Sequence, residues 1–155
     1  MLALRRATGY TLLELLVTVA VVAIIASLAV PSFQYMIGTQ RVRSATSDLV
    51  VALNFARSEA VKRNRVVTVT PSVSWAGGWS VTFVDAGGNT QTLQNHNGFD
   101  GLTMAGNTAI SFRPDGRRNS GNVSVEITPP TGSSAKKHCV TVSPTGKPES
   151  DTGGC

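Results

Sequence analysis

The sequence predicts an α+β chain in which one long N-terminal helix feeds a small, mainly antiparallel β-domain. Three observations predict it. Leu12 to Val30 is an almost unbroken apolar run, and between Val42 and Ala60 apolar residues recur every three or four positions. From Val66 onward, short β-branched runs alternate with turns rich in Gly, Pro and Asn. A chain of 155 residues with 41% hydrophobic content suffices for one modest domain and an accessory segment. Only 15% of residues are charged, below the usual quarter, which suits many short strands and excludes a long charged coiled coil.

The apolar run, LLELLVTVAVVAIIASLAV, is interrupted by Glu14 and by the small polar residues Thr18 and Ser27. About 20 residues rising ~1.5 Å each span a hydrocarbon core of ~30 Å, so the run is long enough to cross a membrane. Arg5 and Arg6 precede it, which keeps the N-terminus cytoplasmic and sends the remainder across. A cleavable secretory signal would share that basic start, and Ser27-Leu28-Ala29 imitates a small-x-small cut site. Its apolar core would however be about 7–15 residues long, with no carboxylate inside and no proline directly after. Glu14 is the anomaly. A lone acid in hydrocarbon costs roughly 2.5–3.5 kcal/mol by insertion scales and calls for a partner, yet the run contains no cation.

Thr8-Gly9-Tyr10-Thr11-Leu12-Leu13-Glu14-Leu15-Leu16-Val17 resembles the processing site of type IV prepilins and type II secretion pseudopilins. The resemblance covers about thirty residues, Pro31 included. It implies that a prepilin peptidase cuts after Gly9, that the new N-terminal residue, Tyr10, is methylated, and that Glu14 pairs with an N-terminal amine during assembly. Tyr10 stands where phenylalanine is commoner in that family.

Beyond Pro31 the helical pattern resumes. Val42, Ala45, Leu49, Leu53, Ala56 and Ala60 form a stripe, with Arg43, Arg57 and Arg63 mostly off it. The stripe should pack on the β-domain, with Pro31 and Gly38 as sites of bending or unwinding and an end near Arg63-Asn64. Strands are expected at Val66–Thr70, Trp79–Val84, Thr90–Leu93, Ala109–Arg113, Asn122–Thr128 and Cys139–Val142. The segment from Ala56 to Asn64, Gly77-Gly78-Trp79 and Ser143-Pro144-Thr145-Gly146 are similar to segments of the GspH/FimT-type minor subunits. That likeness implies a type IV pilin-like fold with a helix and two small sheets, in a low-copy subunit near a filament tip. The expected organisation is a leader at 1–9, a transmembrane helix at 10–30, an amphipathic extension at 31–64 and a periplasmic β-domain at 65–155.

The formal charge is +5 and the pI about 9.8, which invites a nucleic-acid reading. The excess sits in the leader and in the segment Arg41–Arg65, whereas six cations and six acids cancel beyond Arg65. Two basic clusters remain there, Arg117-Arg118 and Lys136-Lys137. Some FimT-type subunits are DNA receptors that resemble one another in a late basic GRxR motif. The corresponding place here reads Gly146-Lys147-Pro148-Glu149, so a lysine replaces the first arginine and an acid the second. Phosphate binding sums several cation contacts, and that exchange weakens it. Solvated loops are the plainer reading of Arg117, Arg118, Lys136, Lys137 and Lys147.

Cys139 and Cys155 are the two cysteines, and nothing near them fits a metal pattern. Outside the cytoplasm they are expected to form one disulfide tying the tail to a strand, worth roughly 3 kcal/mol; the alternative is two free thiols. His96 and His138 lack the companions of a triad or metal site and read as surface or loop histidines. Gly77-Gly78 and Gly87-Gly88 read as turns. No catalytic residue, metal or cofactor is therefore expected. The resemblance implies a minor pilin held in the inner membrane with its domain in the periplasm, and in an assembled pilus at the cell-surface tip. Other pilins and the prepilin peptidase are the implied partners. A type II secretion pseudopilin and a DNA-binding tip subunit for natural transformation remain as alternatives.

Overall fold

Thr11 starts the first helix. Its hydroxyl and its carbonyl accept from the Glu14 N–H at 3.2 and 3.1 Å, and its carbonyl also accepts from Leu15 at 3.2 Å. These bonds satisfy donors that a helix start leaves open. The resulting helix α1 runs Leu12–Arg63. The computed structural model describes residues 10–106, 109–119 and 121–155, leaving aside the side chains of residues 28–31. Asn64 ends α1 in a left-handed conformation, φ 53°. The Arg65 N–H then bonds to the Ala60 carbonyl at 3.2 Å and the Asn64 N–H to Val61 at 3.3 Å, the paired bonds of a Schellman stop.

The chain divides into two compact units, residues 1–34 and 35–155. In the first, the described side chains along α1 are exposed, from Tyr10 through Ile25. In the second, the predicted stripe is the spine of the core. Val42, Ala45, Leu49, Leu53, Ala56 and Ala60 are fully buried, joined by Ala52.

Eight strands follow, in two antiparallel sheets. Val67–Pro71 (β1), Gly78–Val84 (β2), Thr90–Asn97 (β3) and Ile110–Phe112 (β5) form the first, in the order β3-β2-β1-β5. Thr103–Gly106 (β4), Val123–Thr128 (β6), His138–Val142 (β7) and Pro148–Thr152 (β8) form the second, in the order β4-β6-β7-β8. Val67, Val69, Val81, Ile110 and Phe112 of the first sheet and Val125, Ile127 and Val140 of the second join the helix stripe in one core. Strand alternation thus delivers one face of each sheet inward.

Local chemistry explains the connections. In the β2–β3 turn the Asp85 carboxylate accepts from the backbone N–H groups of Gly87 and Asn89 and from the Gln91 side chain, each at 2.9 Å. Those bonds, Gln91's first, hold its carboxyl below the usual range. Cys139 and Cys155 form the disulfide, fastening the tail to β7.

Two expectations change. The backbone is helical through both Pro31 and Gly38, so neither unwinds the helix. Gly38 serves close packing instead, because a Cβ there would overlap the Ser133 side chain and lie 3.3 Å from Ala135. Strands β4 and β8 were not expected, and β3 extends to Asn97, beyond Leu93.

Candidate functional site

Along the first unit, two hydroxyl groups are spent on the helix backbone. Thr18 donates to the Leu15 carbonyl at 2.8 Å and Ser27 to Ile24 at 2.7 Å. Leu12, Leu13, Leu15, Leu16, Val17, Val22 and Ile25 are exposed around them, a helix face built for an apolar environment. Glu14 alone carries charge between Tyr10 and Gln40. Among the described residues its carboxylate makes no ion pair. Its backbone, however, has a role that residue-type reasoning passed over. Thr11-Leu12-Leu13-Glu14 is a Thr-x-x-Glu pattern, and it places an acid in the first turn, where the helix dipole favours it. Tyr10 is 86% exposed at the start of the described chain. Gly9 and the cut expected beside it lie at or beyond that limit.

The basic candidates fall into two groups at opposite ends of β7. Lys136 and Lys137 precede that strand, and the turn carrying Lys147 follows it, five residues or about 16 Å further on. At the first end Lys137 Nζ lies 2.8 Å from Glu126 Oε1. Glu126 Oε2 accepts from the Cys155 N–H at 3.1 Å, so one carboxylate holds a lysine and the disulfide-linked tail together. Lys137, then the Cys155 N–H, hold the Glu126 carboxyl below its ordinary range against an opposing desolvation.

At the other end two turns of the same design meet. Arg113-Pro114-Asp115-Gly116-Arg117 and Ser143-Pro144-Thr145-Gly146-Lys147 each close with paired backbone bonds. Gly116 N–H bonds to the Arg113 carbonyl at 2.9 Å and Arg113 N–H to Arg117 at 2.8 Å. Gly146 N–H bonds to Ser143 at 2.8 Å and Ser143 N–H to Lys147 at 2.9 Å. Gly116 and Gly146 take φ of 77° and 81°, which L-residues adopt with strain. The turns touch through these glycines, since a Cβ on Gly146 would overlap the Gly116 carbonyl oxygen. Arg57 Nε on α1 donates to the same oxygen at 3.0 Å.

The cations of this cluster are largely occupied. Lys147 Nζ pairs with Glu149 Oε1 at 2.9 Å. The Arg118 guanidinium bonds to the Gly121 carbonyl and to Asn122 Oδ1. Arg118 and Glu149 line one shallow depression of about 360 Å³, so the acid sits among the cations. On the helix, Glu59 takes Arg63 at 2.6 Å and Lys62 at 3.6 Å, and Arg63 lowers its carboxyl below the usual value. The five candidate cations therefore fall in two places. Two of them are ion-paired, and the length of β7 separates the groups.

The histidines also differ from expectation. His96 lies on β3, half-buried, its ring stacked on Trp79 with centroids 4.3 Å apart and planes 10° from parallel. His138 opens β7 and is half-buried too. No group of three or more potential metal-ligating side chains occurs among the described residues.

The apolar helix, its capped acidic first turn and the disulfide-closed two-sheet domain lead to a family comparison. The profile of type II transport protein GspH matches residues 45–146. The chain belongs to the GspH family. The prokaryotic N-terminal methylation motif matches residues 4–30, so this GspH-family protein joins the N-terminal motif to the domain of minor pilins and pseudopilins. It is similar in fold to the type IV minor pilin FimU of Pseudomonas aeruginosa PAO1. One crystal form is 24% identical over 72% of this chain and 89% of that one, with a TM-score of 0.61. Another is 25% identical over 70% and 91%, with a TM-score of 0.59. The minor pseudopilin EpsH from the type 2 secretion system of Vibrio cholerae shares the fold at 13% identity, 72% and 97% coverage and a TM-score of 0.60. No curated protein sequence matches this chain.

Proposed function

We propose that this GspH-family protein is a non-enzymatic minor subunit of a type IV pilus, built into the priming or tip complex through its N-terminal helix. The observation that carries this reading is Glu14, the one charge between Tyr10 and Gln40, on the exposed apolar part of α1. A carboxylate so placed in hydrocarbon needs a positive partner from outside its own segment. Cleavage after Gly9 creates one, the amine of Tyr10, within the stretch that matches the methylation motif. The leader is then residues 1–9, the spanning segment 10–30 and the amphipathic extension 31–64, with the β-domain, 65–155, in the periplasm. Other pilins and the prepilin peptidase are the partners.

The test replaces Glu14 with valine. The variant should insert and be processed with an N-terminal methyl-tyrosine, seen by mass spectrometry, yet be depleted from sheared filaments. Wild-type incorporation would remove the charge-pairing argument. A mature chain starting at Val30 would make the segment an ordinary secretory signal.

A second reading is a secretion pseudopilin, favoured by the fold shared with EpsH over 97% of that chain. Deleting the gene separates the two: lost piliation supports the pilus subunit, and lost export of folded proteins supports the pseudopilin. A DNA receptor fits less well, because the five cations are divided between two places and two of them, Lys137 and Lys147, are paired with acids.

A further inference from the structure

Strand β8 and the tail after it are attached to the domain without entering its core. Within Pro148–Thr152 only Pro148 is buried, and the other residues are exposed. No residue beyond Val142 belongs to the hydrophobic core, whereas β7, directly beside β8, supplies Val140 and Val142, and β6 supplies Val123, Val125 and Ile127. Apolar burial, the main favourable force in folding, therefore does little for residues 148–155.

Backbone pairing and a knot at the far end hold this segment instead. β8 pairs with β7 from Val142↔Pro148 to His138↔Thr152. Beyond it, the Gly153 N–H bonds to the Lys137 carbonyl at 2.8 Å and the Cys155 N–H to Glu126 Oε2 at 3.1 Å. The Cys139–Cys155 bond closes the knot. Pro148 brings no N–H to the ladder, and Glu149 and Asp151 place like charges on one face of the strand. A backbone hydrogen bond is worth, net, no more than the cost of ordering the residue that makes it. A ladder without apolar burial is thus near balance, and the covalent bond, which keeps the tail beside β7, tips it.

The two cysteines differ in access. Cys155 is exposed and Cys139 is buried. A thiolate of a dithiol reductant therefore attacks the Cys155 sulfur and forms a mixed disulfide with it, while Cys139 leaves as a thiolate and takes up a proton. The reductant's second thiol then displaces Cys155 as a thiol, and the reductant departs as its own disulfide. The cysteines have gained two electrons and two protons, which the dithiol has lost.

We propose that residues 148–155 form a redox-gated strap. With the Cys139–Cys155 bond intact the strap lies closed on β7, and with the bond reduced by a dithiol it opens while the rest of the domain stays folded. Opening uncovers the edge of His138–Val142, a strand with no Asp, Glu, Lys, Arg or Pro to protect it from pairing. When closed, the strap covers that edge with one that carries Glu149 and Asp151. The device belongs to the β-domain alone and does not depend on how α1 assembles.

The test uses residues 35–155, a compact unit that contains the whole hydrophobic core. Amide hydrogen exchange is followed by NMR in the oxidised protein and again after reduction with dithiothreitol. In the oxidised protein the Gly153 and Cys155 N–H groups and the β8 amides bonded to β7 should be protected. In the reduced protein they should exchange at least about 100-fold faster than the amides of Leu49, Leu53 and Val125, at a rate that dilute urea leaves unchanged, the mark of a local opening. Cys155→Ser should reproduce this pattern without reductant, and iodoacetamide should then label Cys139. Strap amides that exchange together with the core amides in the reduced protein would overturn the proposal. So would strap amides equally unprotected in the oxidised protein, or loss of the whole fold on reduction.

Discussion

Replacing Gly146 with alanine tests the contact that joins the two turns. The change has two consequences that can be separated. Gly146 has φ 81°, and an L-residue in that left-handed conformation costs about 1–2 kcal/mol. The new methyl also overlaps the Gly116 carbonyl oxygen and lies 3.1 Å from its carbon and 3.3 Å from the Arg117 Cα. All three are backbone atoms, so no side chain can swing aside. The turns must part, loosening the Arg57–Gly116 bond with them, at about 1–3 kcal/mol for overpacking. Together the loss is about 2–5 kcal/mol, a large share of the stability of a small domain.

Gly88→Ala provides the internal control. Gly88 has the same φ of 81° but nothing within 4 Å of a built Cβ. It should lose the conformational part alone, and any gain from a stiffer unfolded chain is common to both variants. Urea unfolding of residues 35–155, followed by tryptophan fluorescence, measures both. With a slope of about 1–3 kcal/mol per molar, the extra loss at Gly146 should lower the midpoint by roughly 1 M relative to Gly88→Ala. Equal midpoints for the two variants would refute the claim that the turns are in obligatory contact.

Three further outcomes are expected. Cys155→Ser opens a loop whose ends are 16 residues apart and should cost roughly 3 kcal/mol on the chain-entropy model, with reductant producing the same loss in the wild type and none in the variant. Leu53, fully buried in the helix stripe, should lose about 2–5 kcal/mol on truncation to alanine, measured by the same urea titration. Glu59, Asp85 and Glu126 all have carboxyls held below their ordinary values. Their contribution is fully present above the ordinary carboxylate range and is lost as pH falls through the lowered folded values, so stability should fall on acidification below about pH 4.5. Glu126→Gln should flatten part of that acid limb; an unchanged limb would show that the clamp on Lys137 and Cys155 adds nothing.

Much of the N-terminal helix was decided by local pattern. An apolar run of membrane-spanning length, a Thr-x-x-Glu start and a stripe at three- and four-residue spacing each act within a few turns of one helix. The side chains that make the pattern are the ones that make the structure. The stripe from Val42 to Ala60 is accordingly the buried one, and Asn64, tolerant of a left-handed backbone, ends the helix. The strands with clean alternation, such as Val123–Thr128, were legible for the same reason.

What only the tertiary structure decided depends on partners distant in sequence. Strand β8, Pro-Glu-Ser-Asp-Thr, has weak strand character of its own. It exists because β7 pairs with it from His138 to Val142 and the Cys139–Cys155 bond holds its end. The basic residues illustrate the same point at the site. Arg117 and Lys147 are thirty positions apart yet sit on touching turns, while Lys137 and Lys147, ten apart, occupy opposite ends of a strand. The Trp79–His96 stack likewise follows from the β2–β3 register, which opposes those two residues directly. Charge and residue type are written in the chain, but which groups meet is fixed by strand order and register, and these are settled by burial of the whole core at once.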